Sequence, residues 1–178
     1  MKEAVGATSI FQIVILFILL FTAIMCLTIN NANAFGVKDD ITNIIEVNQG
    51  KYIDNDGNLS VAIVDSIKEN QYRVTGKCPL SDNNGDGYKG YNKAGVAVNP
   101  GDKASICINK VDVTDGINNY LDKILGSENF ANDDFLKGVY YQVIVFYQLD
   151  LPVINQVFNF QTKGETKIIY IGNAKANI

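Results

Sequence analysis

The side chains best suited to chemistry are few. Asp82, Asn84 and Asp86 stand at alternate positions ahead of Gly87. Two carboxylates and an amide at that spacing, around a turn that glycine permits, open a calcium-binding loop. The twelfth position of such a loop carries a bidentate glutamate, and here it is Lys93. Calcium would therefore need a further ligand from elsewhere, and a solvated polar turn is the simpler reading. The three cysteines are Cys26, Cys78 and Cys107. Cys26 lies in an apolar run, where a thiol behaves as a small apolar group. Cys78 and Cys107 lie in polar sequence and are expected to pair as a disulfide if that part of the chain is extracytoplasmic, the alternative being two unrelated thiols. The sequence contains no histidine, which removes histidine-based triads, most zinc sites and the commonest general base. There is also no GxSxG, no phosphate-binding glycine loop and no carboxylate pair placed for acid–base work. An enzyme is not expected, nor any cofactor beyond that calcium ion.

Few chemical groups leave packing as the business of the chain, and one long element dominates it. Residues 10–29 form an uncharged apolar run, interrupted only by Gln12, Thr22 and Thr28, inside a charge-free stretch from Ala4 to Val37. About 20 apolar helical residues cross the roughly 30 Å hydrocarbon core of a bilayer. Beyond it Val37, Ile41, Ile44 and Ile45 fall on one helical face, with Lys38, Asp39, Asn43 and Glu46 on the other. Asn48-Gln49-Gly50 supplies a glycine C-cap. The expected organisation is a short leader at 1–6, one helix at 7–48 with its membrane span at 10–29, and a sheet domain at 49–178. The apolar stripe needs a partner, and only the domain can supply it. A competing reading is a signal peptide: Ala32-Asn33-Ala34 before Phe35 has the small-residue pattern for cleavage after Ala34. Against it, the apolar run exceeds the roughly 7–15 residues of a signal core.

The remaining chain reads as mixed helix and strand. Leu59, Ile63 and Ile67, beside Val64, suit a short helix ending near Asn70, with a strand at 60–64 as the rival. Strands are expected at 72–78, 96–98 and 104–113, the last with Ile106, Ile108 and Val111 inward. A short helix carrying Ile117, Tyr120, Leu121 and Ile124 follows, capped by Thr114 or Asp115 and closed by Gly126. Residues 139–149 and 157–162 are the clearest strands; a bend or bulge is expected at Lys163-Gly164, with the strand resuming at 166–171. The two long strands should pair antiparallel, and their apolar face is the natural partner for the stripe. The fold class is therefore α+β. The net charge of −4, from 15 basic and 19 acidic residues, provides no basic patch for nucleic acid.

A membrane-spanning, then amphipathic, N-terminal helix on an antiparallel sheet resembles the type IV pilin architecture. Val5-Gly6-Ala7-Thr8, the segment from Phe35 through Lys38-Asp39-Asp40 to Glu46, Pro100-Gly101-Asp102, and Gly164-Glu165-Thr166 in the last strand look like TadE-like pseudopilins of tight-adherence systems, particularly Gram-positive forms. That resemblance implies a structural, membrane-anchored subunit or assembly factor of a surface filament or secretion system. Its partners would be membrane lipid and other pilin-like subunits or their assembly machinery. It also implies prepilin-peptidase cleavage between Gly6 and Ala7, a cytoplasmic N-terminus and an extracytoplasmic domain. The glutamate that pilins carry five residues past the cleaved glycine is Phe11 here. A secreted or anchored extracellular binding module, calcium-dependent through Asp82, Asn84 and Asp86, is the reading from another class.

Overall fold

The computed structural model describes residues 2–70, 72, 74–79, 87–125, 137–151 and 156–171. Helix α1 spans Lys2–Val47, 46 residues without a break, or about 69 Å at 1.5 Å per residue. It begins before residue 7, so residues 2–6 are helical and continuous with the rest of α1. Lys2, Glu3 and Ala4 favour helix, and the single Gly6 is too weak a breaker to stop it. Two potential disturbances inside the apolar half are satisfied within it: the Thr22 hydroxyl donates to the Ile18 carbonyl at 2.6 Å and the Thr28 hydroxyl to the Ile24 carbonyl at 2.9 Å. The helix ends in a Schellman arrangement, with Gly50 N–H on the Ile45 carbonyl at 2.8 Å and Gln49 N–H on the Glu46 carbonyl at 3.1 Å. Gln49 occupies the left-handed position at φ 52° and Gly50 follows at φ 82°. A Cβ on Gly50 would lie 2.8 Å from the Tyr141 hydroxyl, so glycine there serves both the turn and the approach of the sheet.

Among the described residues eight strands follow: β1 (Gly76–Lys77), β2 (Lys89–Tyr91), β3 (Ala97–Val98), β4 (Lys103–Ala104), β5 (Ile106–Asp112), β6 (Lys137–Leu151), β7 (Gln156–Glu165) and β8 (Ile169–Ile171). The main sheet is antiparallel in the order β3-β2-β5-β6-β7, and β8 continues beside β6 beyond the end of β7. Helix α2 (Val61–Glu69) forms where a strand was the rival, because Ile63 and Ile67 pack at helical spacing beside Leu59. Helix α3 (Thr114–Leu125) has a different cap from the one expected: the Asp112 carboxylate accepts the Thr114 N–H at 2.9 Å, while the Thr114 hydroxyl accepts the Gly138 N–H at 3.2 Å. Gly126, its expected closing residue, lies outside the described residues.

Three strand expectations are corrected. Among the described residues of 72–78, strand is confined to β1, which pairs with β4 in a separate two-stranded sheet. The segment 104–113 divides at Ser105, whose N–H bonds the Tyr91 carbonyl at 2.8 Å. Within β5, Ile106 and Ile108 are buried, but Val111 has the opposite parity and falls on the other face. No bulge occurs at Lys163-Gly164, because β6–β7 register runs unbroken to Gln142↔Glu165. The offset comes just after: between there and Val139↔Ile169, three steps along β6 face four along its partner. Thr166 fills the gap, donating its N–H to the Tyr141 carbonyl and accepting the Tyr141 N–H on its hydroxyl, both at 2.9 Å.

Alternation along β6 builds a core on each face of the sheet. Tyr141, Val143 and Val145 point to the helix side with Ile106 and Ile108, while Ile144 and Phe146 join Ala104 and Cys107 on the other. The first core is closed by Ala34, Val37, Ile41 and Ile45, all fully buried. Ile44 is part-buried against it.

Candidate functional site

No group of three His, Cys, Asp or Glu side chains placed to hold a metal ion occurs among the described residues. Asp82, Asn84 and Asp86 lie outside the described residues. Lys93, at the twelfth position of that loop, sits exposed in the β2–β3 turn, beside Asn92, whose carboxamide accepts the Ala94 and Val96 N–H groups. A cleft of about 920 Å³ between residues 75–77 and the outer half of the β6–β7 hairpin is lined by Lys77, Lys103, amides and aromatic rings, with no carboxylate.

What the structure does build is a helix with two different halves. In the apolar half, large side chains such as Ile10, Phe11, Leu16, Phe17 and Met25 stand 58–67% exposed, on every side of the helix. Cys26, the free thiol, is exposed among them. Length and composition suit this helix to cross a membrane, and a signal sequence near an N-terminus passes the same test. In the other half the stripe expected from sequence is in place at Val37, Ile41, Ile44 and Ile45, and Ala34 extends it by one turn. Phe35 is 43% exposed, with the Lys38 ammonium 4.9 Å above its ring. Gly6 and Ala7 lie in the first turns of α1.

Polar contacts fasten both edges of the stripe, and the sequence reading missed most of them. Asn30 donates its carboxamide N–H to the Gln148 carbonyl at 2.8 Å. Lys38, expected on the solvent side, lays its stem against Gly164, where an added Cβ would stand 2.7 Å from Lys38 Cδ. Glu46, also placed on the outer face, accepts the Lys167 N–H at 2.8 Å, and its second oxygen lies 3.8 Å from the Lys167 ammonium. The carboxylate thereby holds the backbone just beyond the Thr166 offset. Asp40 accepts the Ser66 hydroxyl at 3.0 Å and the Asn70 amide at 3.2 Å, tying α2 to α1. Helical spacing alone could have found Ala34, one turn before Val37. Nothing local in the sequence marks Asn30, Asp40 or Glu46 as anchors.

On the far face, Cys78 and Cys107 form the expected disulfide, with Cα atoms 5.6 Å apart. It ties the segment after β1 to β5. Tyr72, in the helix-side core, bonds the sheet backbone, accepting the Phe146 N–H on its hydroxyl at 2.8 Å and donating to the Phe146 carbonyl. Burial pushes its phenol well above the ordinary tyrosine range, against the pull of that backbone bond. Burial likewise raises Tyr91 and Tyr141, whose rings flank Tyr52 beside the helix end. These groups stay neutral and structural.

No family model, no curated protein and no solved structure matches this chain.

Proposed function

We propose that the chain is a membrane-anchored structural protein, a pilin-like subunit or assembly factor of the TadE-like kind, whose work is lateral packing of helices and not chemistry. The observation that carries this reading is the single uninterrupted helix, bare and apolar at one end and sunk into a sheet domain at the other. Such a helix hands any force on the domain directly to the membrane segment. Ala34 is fully buried in the shared core and Asn30 is bonded to β6. Cleavage after Ala34 would sever Asn30 from the domain, which favours retention of the helix over a signal peptide. The disulfide favours a domain on the oxidising side of the membrane.

Lateral packing is testable through two thiols on the apolar half. Ile13→Cys, at a position 68% exposed, would join the native Cys26. In membranes of the native host, a bifunctional thiol reagent should give a ladder of multimers that collapses to dimers when Cys26 is replaced by Ser. Monomers alone at native expression would point to a stand-alone binding module. N-terminal sequencing of the same material would show whether the chain begins at Ala7, as processing after Gly6 requires.

A further inference from the structure

We propose that the cleft between β1 and the β6–β7 hairpin binds an acidic polysaccharide, a hydroxyl-bearing chain that carries carboxylate or phosphate groups. This goes beyond the anchored structural reading, because the cleft lies in the sheet domain and its geometry does not depend on how the helix packs.

A pair of like charges carries the inference. β1 and β4 pair antiparallel, with Gly76 opposite Ala104 and Lys77 opposite Lys103. Gly76 lies against the Phe146 ring with no room for a Cβ, and Ala104 is fully buried. One step along each strand reverses the face, so Lys77 and Lys103 both turn outward, and both are exposed. Opposite positions of an antiparallel pair hold their Cβ atoms about 4.5–5.5 Å apart, and like charges there destabilise the pairing. Among the described residues neither ammonium has an ion-pair partner. The whole chain carries a net charge of −4, so this pair is a local exception and not part of a basic surface. An anion bridging the two ammoniums would turn the repulsion into attraction. The next residue, Cys78, is bonded to Cys107 of β5. That bond fixes β1 over the sheet and holds Lys77 in place before a ligand arrives.

The opposite wall sets the kind of anion. Register places Phe146 opposite Gln161 and Gln148 opposite Asn159, and alternation puts all four on the face that β1 covers. Phe146 is buried beneath Gly76. Beyond it Gln148 is half-buried, while Asn159 and Gln161 are exposed. Three carboxamides thus stand beside the two ammoniums around a space of about 920 Å³. A carboxamide both donates and accepts, as a sugar hydroxyl does. Among the described residues no carboxylate lines the space to repel a polyanion. A nucleic acid would need a longer basic track than two lysines. An extended peptide would be read along a free strand edge, whereas the hairpin presents a strand face here.

Four polymers matched in length test the site by isothermal titration calorimetry of the full chain in uncharged detergent. Oligogalacturonate and poly(glycerol phosphate) are hydroxylated polyanions, polyglutamate is a polyanion without hydroxyls, and dextran is hydroxylated and neutral. At least one of the first two should bind, more weakly as salt rises, and the tighter of them tells carboxylate from phosphate. Dextran should not bind, and polyglutamate should bind at least about tenfold more weakly. Lys77→Gln/Lys103→Gln should lower affinity at least about tenfold, and Gln161→Ala about two- to tenfold. These side chains are exposed, so the near-ultraviolet circular dichroism should stay that of the native chain. Lys51→Gln/Lys110→Gln makes the same charge change at exposed sites outside the cleft and should bind as the native chain does. No binding to either glycan, polyglutamate binding as tightly, an unchanged affinity in the cleft variant, or an equal loss in the outer variant overturns the proposal. Each of these outcomes leaves the multimer ladder as it is, and absence of that ladder would remove the filament reading without touching the cleft.

Discussion

Replacing Ile41 by alanine is the sharpest test of how helix and sheet depend on each other. Ile41 is fully buried between Val37 and Ile45 in the core that Val143 and Val145 complete. The change deletes three carbons of side chain, worth about 0.8 kcal/mol each as lost transfer free energy. A rigid helix lying on a rigid sheet cannot close the gap fully, so a cavity term adds to this, giving about 2–5 kcal/mol in all. At roughly 3–4 °C per kcal/mol for a domain of this size, the melting midpoint should fall by about 6–20 °C. Asn43→Ala is the control: Asn43 is exposed on the opposite face, and its replacement should move stability by no more than about 0.5 kcal/mol. The assay is thermal unfolding of the full chain in detergent, followed by near-ultraviolet circular dichroism of the buried tyrosines. Equal midpoints for the two variants would refute the reasoning, because the stripe would then contribute nothing to the domain.

Three further outcomes are expected. Thiol labelling of the unreduced, denatured protein should find Cys26 alone, and the Cys78→Ala/Cys107→Ala variant should lose about 3–4 kcal/mol on the chain-entropy account of a loop with sequence separation 29; labelling at all three would contradict the pairing. Asp40→Ala should cost about 1 kcal/mol through the bonds to Ser66 and Asn70, although Asp40 is exposed; a double-mutant cycle with Ser66→Ala measures the coupling. Asp112 has its carboxyl held below the ordinary range by the Thr114 hydroxyl and amide; a lowered folded value means that its contribution is complete above about pH 4 and is lost as pH falls through that value, so Asp112→Asn should flatten the acid limb of the stability profile below pH 4 and leave neutral pH dependence unchanged.

Periodicity made the large features legible. A long run of apolar residues with no charge reads as a span, a signal sequence or a core helix, and the spacing of Val37, Ile41 and Ile45 named the face that the sheet covers. Strands β6 and β7 declared themselves through Val, Ile, Tyr and Phe at a period of two. What stayed hidden depends on tertiary geometry. Lys38 and Glu46 look like solvent residues by spacing, yet their long side chains reach around the helix to Gly164 and Lys167. The strand offset was expected at the glycine, where the backbone is most permissive. It falls instead at Thr166, because the hydroxyl there can replace a missing backbone acceptor. The expected strands at 72–78 and 104–113 could have been neighbours in one sheet, whereas Cys78 reaches β5 from outside the main sheet.

The central claim is that one continuous helix is both the membrane segment and the keystone of the domain. Intact-mass measurement of the protein from a carbonate-washed membrane fraction tests it most directly. The account predicts a membrane-bound chain that begins no later than Ala7 and keeps Ala34 joined to Phe35. A soluble chain beginning at Phe35 would contradict it.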